Sequence, residues 1–221
     1  MAEAVFQTFD QKTTPAQGAP HLKALRAELK ARGLDGFIVP RTDEHQNQYV
    51  PPSSERLAWL TGFSGSWGTA IVLHDLAAIF VDGRYTVQVR EQVDAAAFTP
   101  EHLIDNPPEN WLEKHLRSGQ KLGFDPWLHT QDGVRKLEKA CAKVGAILVP
   151  VATNPIDSVW KDRPPVPLAQ IVLHRPAYAG EDAHDKLKRI QVKLAAQGAD
   201  AVVLTDAHAV AWAFNIRGGD V

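Results

Sequence analysis

Apolar residues first recur at helical spacing at Leu22, Leu25 and Leu29, behind Pro20 and ahead of Gly33, which predicts a helix stopped by a glycine. Phe37-Ile38-Val39 is too short for a helix and reads as a buried strand. Ser53 or Ser54 is a candidate cap for a helix through Leu57 and Leu60 that ends at Gly62. Two apolar runs, Thr69 to Leu73 and Ala77 to Val81, flank a short turn at His74-Asp75 and predict a β-hairpin. Asp82-Gly83 closes the second run, and a helix is expected from Tyr85 to Val93. Pro107-Pro108 then opens a helix that turns Trp111, Leu112 and Leu116 inward. Leu122-Gly123-Phe124 and Ile147-Leu148-Val149 read as strands, and between them Val134, Leu137, Cys141 and Val144 form a helical stripe closed by Gly145. Helices alternate with strands around an antiparallel hairpin, so the expected class is α/β, a mixed β-sheet flanked by helices.

The order of features in residues 22–66 returns in 187–220. Leu22 to Asp35 is echoed by Leu187 to Asp200, Phe37-Ile38-Val39 by Val202-Val203-Leu204, and Thr42-Asp43 with His45 by Thr205-Asp206 with His208. Leu57-Ala58-Trp59 leading to Gly65-Ser66 is matched by Val210-Ala211-Trp212 leading to Gly218-Gly219. A repeat that stops part-way is expected of a fragment of a longer protein. The proline-rich stretch 162–167 reads as an extended connector. The expected organisation is a flexible N-terminal arm over 1–20, a first domain over 21–165, and the incomplete start of a similar second domain over 166–221. That last piece buries too little surface to be stable alone.

Composition adds exclusions rather than a function. A formal charge of −2 without a basic stripe argues against nucleic acid as a partner. The start of the chain has no signal-peptide pattern, and no apolar stretch reaches membrane-spanning length, so a cytoplasmic protein with no membrane partner is expected. The single cysteine, Cys141, lies on a helical stripe and reads as a buried, inert thiol. Nine histidines include no His-Glu-x-x-His pair, there is no Cys-x-x-Cys, and Asp43-Glu44-His45 reads as a solvated loop, so no metal site is expected in this chain. Ser64-Gly65-Ser66-Trp67-Gly68 lacks the lysine of a phosphate-binding loop and reads as a tight turn feeding the hairpin. Arg84 follows the strand end at Asp82-Gly83, a junction where α/β scaffolds place ligand contacts. Its guanidinium could take a carboxylate, from a peptide C-terminus or a neighbouring subunit, or it could make a turn-stabilising ion pair with Asp82 or Glu91.

Several spaced strings resemble one family. Phe37-Ile38-Val39-Pro40, Asp43-x-His45-Gln46-x-x-Tyr49, Gly62-Phe63-Ser64-Gly65-Ser66, Gly68-Thr69-Ala70, Asp82-Gly83-Arg84-Tyr85 and Gln88 resemble the N-terminal region of long, three-domain Xaa-Pro aminopeptidases. Asn154-Pro155-Ile156-Asp157, Trp160, Asp162-Arg163-Pro164 and Trp212-x-Phe214-Asn215-x-Arg217-Gly218-x-Asp220 extend the resemblance over nearly the whole chain. It implies a creatinase/prolidase N-terminal-type, ribonuclease H-like sheet followed by the truncated start of a second copy, placed before a metallopeptidase domain. It also implies two manganese ions in that catalytic domain and none here, a proline-containing peptide substrate, and a homodimer. The implied substrate contacts are Arg84, reaching a site of the dimer partner, with His45 and Gln46 at the active-site mouth; no catalytic residue is implied. Trp67 departs from the family's usual small residue, so its indole must be accommodated by the hairpin or project into the cleft. The rival readings are a free-standing creatinase-like binding module and a creatinase- or prolidase-like amidinohydrolase or dipeptidase. Proteins of the last kind generally carry a single such domain, so the duplication favours the aminopeptidase.

Overall fold

The structure, a computed structural model, describes residues 13–219. The arm expected over 1–20 lies mostly outside that range. By internal contacts the chain forms two units: one of residues up to 41, 56–126 and 130–161, the other of 42–55, 127–129 and 162 onward.

In the first unit the alternating runs decide the layering. Its sheet contains β1 (Gly36–Pro40), β2 (Thr69–Leu73), β3 (Ala77–Val81), β4 (Thr99–His102), β5 (Lys121–Phe124) and β6 (Ile147–Pro150), in the order β4-β3-β2-β1-β5-β6. Pairing is antiparallel for β1–β2 and β2–β3 and parallel elsewhere, with Ile38 opposite Ile71 and Ile71 opposite Ala78. Side chains alternate across the sheet. Phe37, Val39, Val72, Ile79 and Val81 enter one apolar core, and Ile38, Ile71, Leu73 and Phe80 enter the other.

Helices cover both faces. Leu22, Leu25 and Leu29 of α1 (Gly18–Ala31) join the first core, with Leu57 and Leu60 of α2 (Arg56–Thr61), Val89 of α3 (Gln88–Gln92) and Ile156 of α6 (Pro155–Val159). Trp111 and Leu112 of α4 (Pro108–His115) and Leu137 and Cys141 of α5 (Gln131–Lys143) line the second. Burial raises the Cys141 thiol to a pKa of about 11, which keeps it protonated and unreactive at neutral pH.

Four local expectations shift. The first helix begins before Pro20, because Thr14 and Gln17 form a capping box around a 3₁₀ turn at Pro15–Gln17 that runs straight into α1. Ser53 and Ser54 belong to a separate 3₁₀ turn, Pro52–Ser54, ahead of α2. The helix expected over 85–93 is broken into a 3₁₀ turn at Gly83–Tyr85 and the short α3. The strand β4 had no apolar signature; it lies at the sheet edge, where Pro100 is tolerated and polar residues face water.

The second unit carries α8 (Ala183–Ala196), α9 (Ala207–Phe214), a single-turn α7 (Pro176–Ala179), and a two-stranded ribbon of β7 (Val172–Leu173) and β8 (Ile216–Arg217). Lys186 of α8 is buried, donates to the Trp212 carbonyl at 3.0 Å and Asn215 Oδ1 at 2.6 Å, and lies 4.8 Å from the Trp212 ring centre. Val202-Val203-Leu204, the counterpart of β1 in the repeat, forms no strand. In the first copy β1 is flanked by β2 and β5, whereas these three residues pair with no strand among the described residues, and Val203 is 84% exposed.

Candidate functional site

The junction after β3 is built from its backbone outward. Asp82 leaves the strand extended and caps the 3₁₀ turn, its Oδ1 accepting the Arg84 N–H at 2.9 Å. The Arg84 side chain folds back on the same carboxylate: Nε donates to Oδ1 at 3.0 Å and Nη2 to Oδ2 at 2.7 Å. This is the ion pair with Asp82 that the sequence offered; Glu91 is not a partner. The guanidinium also lies 5.0 Å from the centre of the Tyr85 ring. The hydrogen-bonded Arg84 holds the Asp82 carboxyl below the usual carboxylate range, so the pair stays ionised at neutral pH. The Arg84 side chain remains 60% exposed.

A second segment is stitched to this one. Tyr85 Oη lies 2.6 Å from Ser66 Oγ and accepts the Ser66 N–H at 3.1 Å, and that hydroxyl contact lowers the phenol's pKa. Gln92 accepts the Ser64 N–H at 3.0 Å and donates to Ser64 Oγ at 2.9 Å, while Gln88 donates to Gln92 at 3.0 Å. Phe63, fully buried, meets Tyr85 edge-on at 5.5 Å. Gly65 lies against that ring so closely that a Cβ there would collide with it. The result is a polar ledge, residues 64–67 beside 82–92, resting on an aromatic base. Trp67 is exposed on this ledge rather than packed beneath the hairpin.

His45 and Gln46 belong to the second unit. Buried Asp43 organises their loop, its Oδ1 accepting the N–H groups of His45 and Asn47 at 3.0 Å each, and its Oδ2 accepting Asn47 Nδ2 at 2.9 Å. Gln46 adopts a left-handed φ of 58°, and the His45 side chain is 55% exposed. The turn leaves the His45 side chain half exposed, while Gln46 folds back so that its Nε2 donates to the Asp43 carbonyl at 3.3 Å. Among the described residues no three His, Cys, Asp or Glu side chains are grouped to hold a metal ion. A shallow cleft of about 330 Å³ lined by Lys23, Arg26, Asp75 and Asp94 lies at the opposite end of β3 from Arg84, with its charges balanced.

Residue-level reasoning singled out Arg84 but not Tyr85, Ser66 and Gln92, whose partners lie 19 to 28 positions away. Ser66 and Tyr85 do stand in the strings that resemble the family, whereas Gln92 carries no mark in the sequence.

A six-stranded mixed sheet with helices on both faces and a repeat of its opening elements define the class. The chain belongs to the family described as the creatinase/prolidase N-terminal domain, whose models match residues 21–159 and 162–221. Its relatives are Xaa-Pro aminopeptidases. It is 36% identical over 203 residues to a probable Xaa-Pro aminopeptidase P of Aspergillus niger, covering 90% of this chain and 33% of that protein. Xaa-Pro aminopeptidase 2 of Homo sapiens is 35% identical over 203 residues, again 90% of this chain and 30% of the relative. The chain thus spans about a third of the length of the curated relatives it matches. The crystal structure of an X-prolyl aminopeptidase from Caenorhabditis elegans superposes with a TM-score of 0.82 at 29% identity, covering 92% of this chain and 35% of that one. That neighbour is described as a cytosolic enzyme with a di-nuclear active site. No described helix of the present chain is long and apolar enough to cross a membrane.

Proposed function

We propose that this chain is the non-catalytic N-terminal portion of a cytoplasmic, manganese-dependent Xaa-Pro aminopeptidase, which removes the residue preceding proline at a peptide's N-terminus. The metal chemistry belongs to a domain outside this chain, where a metal pair would polarise the scissile carbonyl and supply the attacking hydroxide. The first unit shapes the peptide cleft and the homodimer interface. Arg84 touches the substrate, and His45 and Gln46 form part of the rim.

The observation that carries this reading is the Arg84 fork at the end of β3, held by Asp82 yet 60% exposed on a ledge fixed by Tyr85 and Gln92. A guanidinium held open to solvent beside a stitched loop is suited to binding, not to proton transfer, because it stays charged at any working pH. The expected result for Arg84→Ala, made in the complete enzyme, is a KM for Xaa-Pro peptides raised on the order of tenfold with a smaller fall in kcat, as for a contact present equally in ground and transition states. Steady-state kinetics with an unchanged KM would count against the substrate role.

A further inference from the structure

We infer that the group read by Arg84 is the free C-terminal carboxylate of a short peptide, and that Asp82 is the positioning residue that leaves Arg84 ready for it. This rests on the substrate-contact reading above. A guanidinium offers two edges to a carboxylate, a side edge of Nε and one Nη and an end edge of both Nη atoms. Asp82 takes the side edge through Nε at 3.0 Å and Nη2 at 2.7 Å. Arg84's other contacts are its backbone N–H to Asp82 and its cation–π contact with Tyr85, so among the described residues Nη1 and the end edge carry no bond.

The carboxylate that aims the fork is itself fixed. Asp82 is 23% exposed, caps the 3₁₀ turn, and follows Val81, which pairs with His102 across the sheet. A long side chain tethered in this way has lost its rotamer freedom before the ligand arrives.

Charge selects the ligand class. One guanidinium shared between Asp82 and an incoming anion favours the lower charge, because Asp82 repels a dianion such as phosphate about twice as strongly as a carboxylate. A peptide terminus carries one charge and has an apolar side chain or ring beside it. The same ledge carries exposed apolar surface: Trp67 is 36% exposed and Val87 69% exposed. Trp67 is adjacent in sequence to Ser66, which Tyr85 pins.

The test uses the complete enzyme and two substrates, an Xaa-Pro-Xaa tripeptide with a free carboxylate and its C-terminal amide. In the unmodified enzyme the amide is expected to have a KM about tenfold above that of the acid. Arg84→Ala should bring this ratio close to one, and Arg84→Lys should leave it in between, because the lysine keeps the charge but lacks the planar fork. Asp82→Asn should shrink the ratio to about threefold, and Asp82→Glu should restore part of it. If Arg84→Ala raises KM for acid and amide alike, the substrate contact stands and the carboxylate assignment falls. If it alters neither KM, the substrate reading falls and takes this inference with it. A ratio unaffected by Asp82→Asn removes the positioning role. A loss of dimer in sedimentation with an intact ratio would give the Arg84 fork to a neighbouring subunit and overturn the proposal.

Discussion

Asp157→Ala should destabilise the first unit by about 3 kcal/mol, the lower end of the cost of leaving one member of a buried ion pair uncompensated, because Asp157 is itself 27% exposed. Arg56, at the start of α2, has a side chain only 9% exposed and donates to Asp157 of α6 through Nε at 2.7 Å and Nη2 at 2.9 Å. Its Nη1 is buried and has no hydrogen-bond partner among the described residues. The two residues are 101 positions apart, and the pair ties the end of the sheet domain to its beginning. In thermal unfolding the loss corresponds to a Tm lower by about 10 °C for a unit of this size. Replacing both residues with apolar ones of similar volume should recover much of the loss, because the desolvation of both charges disappears with them. A Tm unchanged by Asp157→Ala would show that Arg56 is adequately solvated where it lies.

Gly62→Ala should be comparably damaging, about 3 kcal/mol or more, and should reach the ledge as well as the stability. Gly62 closes α2 with a φ of +87°, and a Cβ there would lie 2.5 Å from the Gln92 carbonyl oxygen and 2.9 Å from that of Thr14. Both obstacles are backbone, one belonging to the segment that bonds Ser64 and the other to the turn that caps α1. Relief requires moving one of them. Gly33 provides the control: its φ is +67°, but nothing lies within 4 Å of a Cβ, so Gly33→Ala should cost about 1 kcal/mol from backbone strain alone. Equal Tm losses for the two variants would show that the close approach at Gly62 is not the source of its effect.

The sequence displayed the first unit most clearly where a strand alternates between two covered faces. Ala77 to Val81 could be recognised because every one of its residues is buried, and the helix of Leu22, Leu25 and Leu29 because its stripe is regular. Thr99-Pro100-Glu101-His102 was invisible because an edge strand needs only one neighbour and little burial. Val202-Val203-Leu204 failed in the opposite sense: its β-branched residues supply propensity, but a strand requires partners, and none of the described residues provides one. The Asp82–Arg84 pair could be read because its members are two positions apart. Tyr85 with Ser66, Gln92 with Ser64, and Lys186 with Asn215 depend on tertiary packing, which local spacing does not encode.

In the proposed division of labour, groups outside this polypeptide perform peptide hydrolysis, and this chain contributes support and a substrate contact. Its most direct test is to purify the 221-residue chain, supply Mn²⁺, and measure bound metal together with Xaa-Pro peptide cleavage. The expected result is no stoichiometric metal and no turnover. A tightly held pair of metal ions accompanied by cleavage would contradict the account.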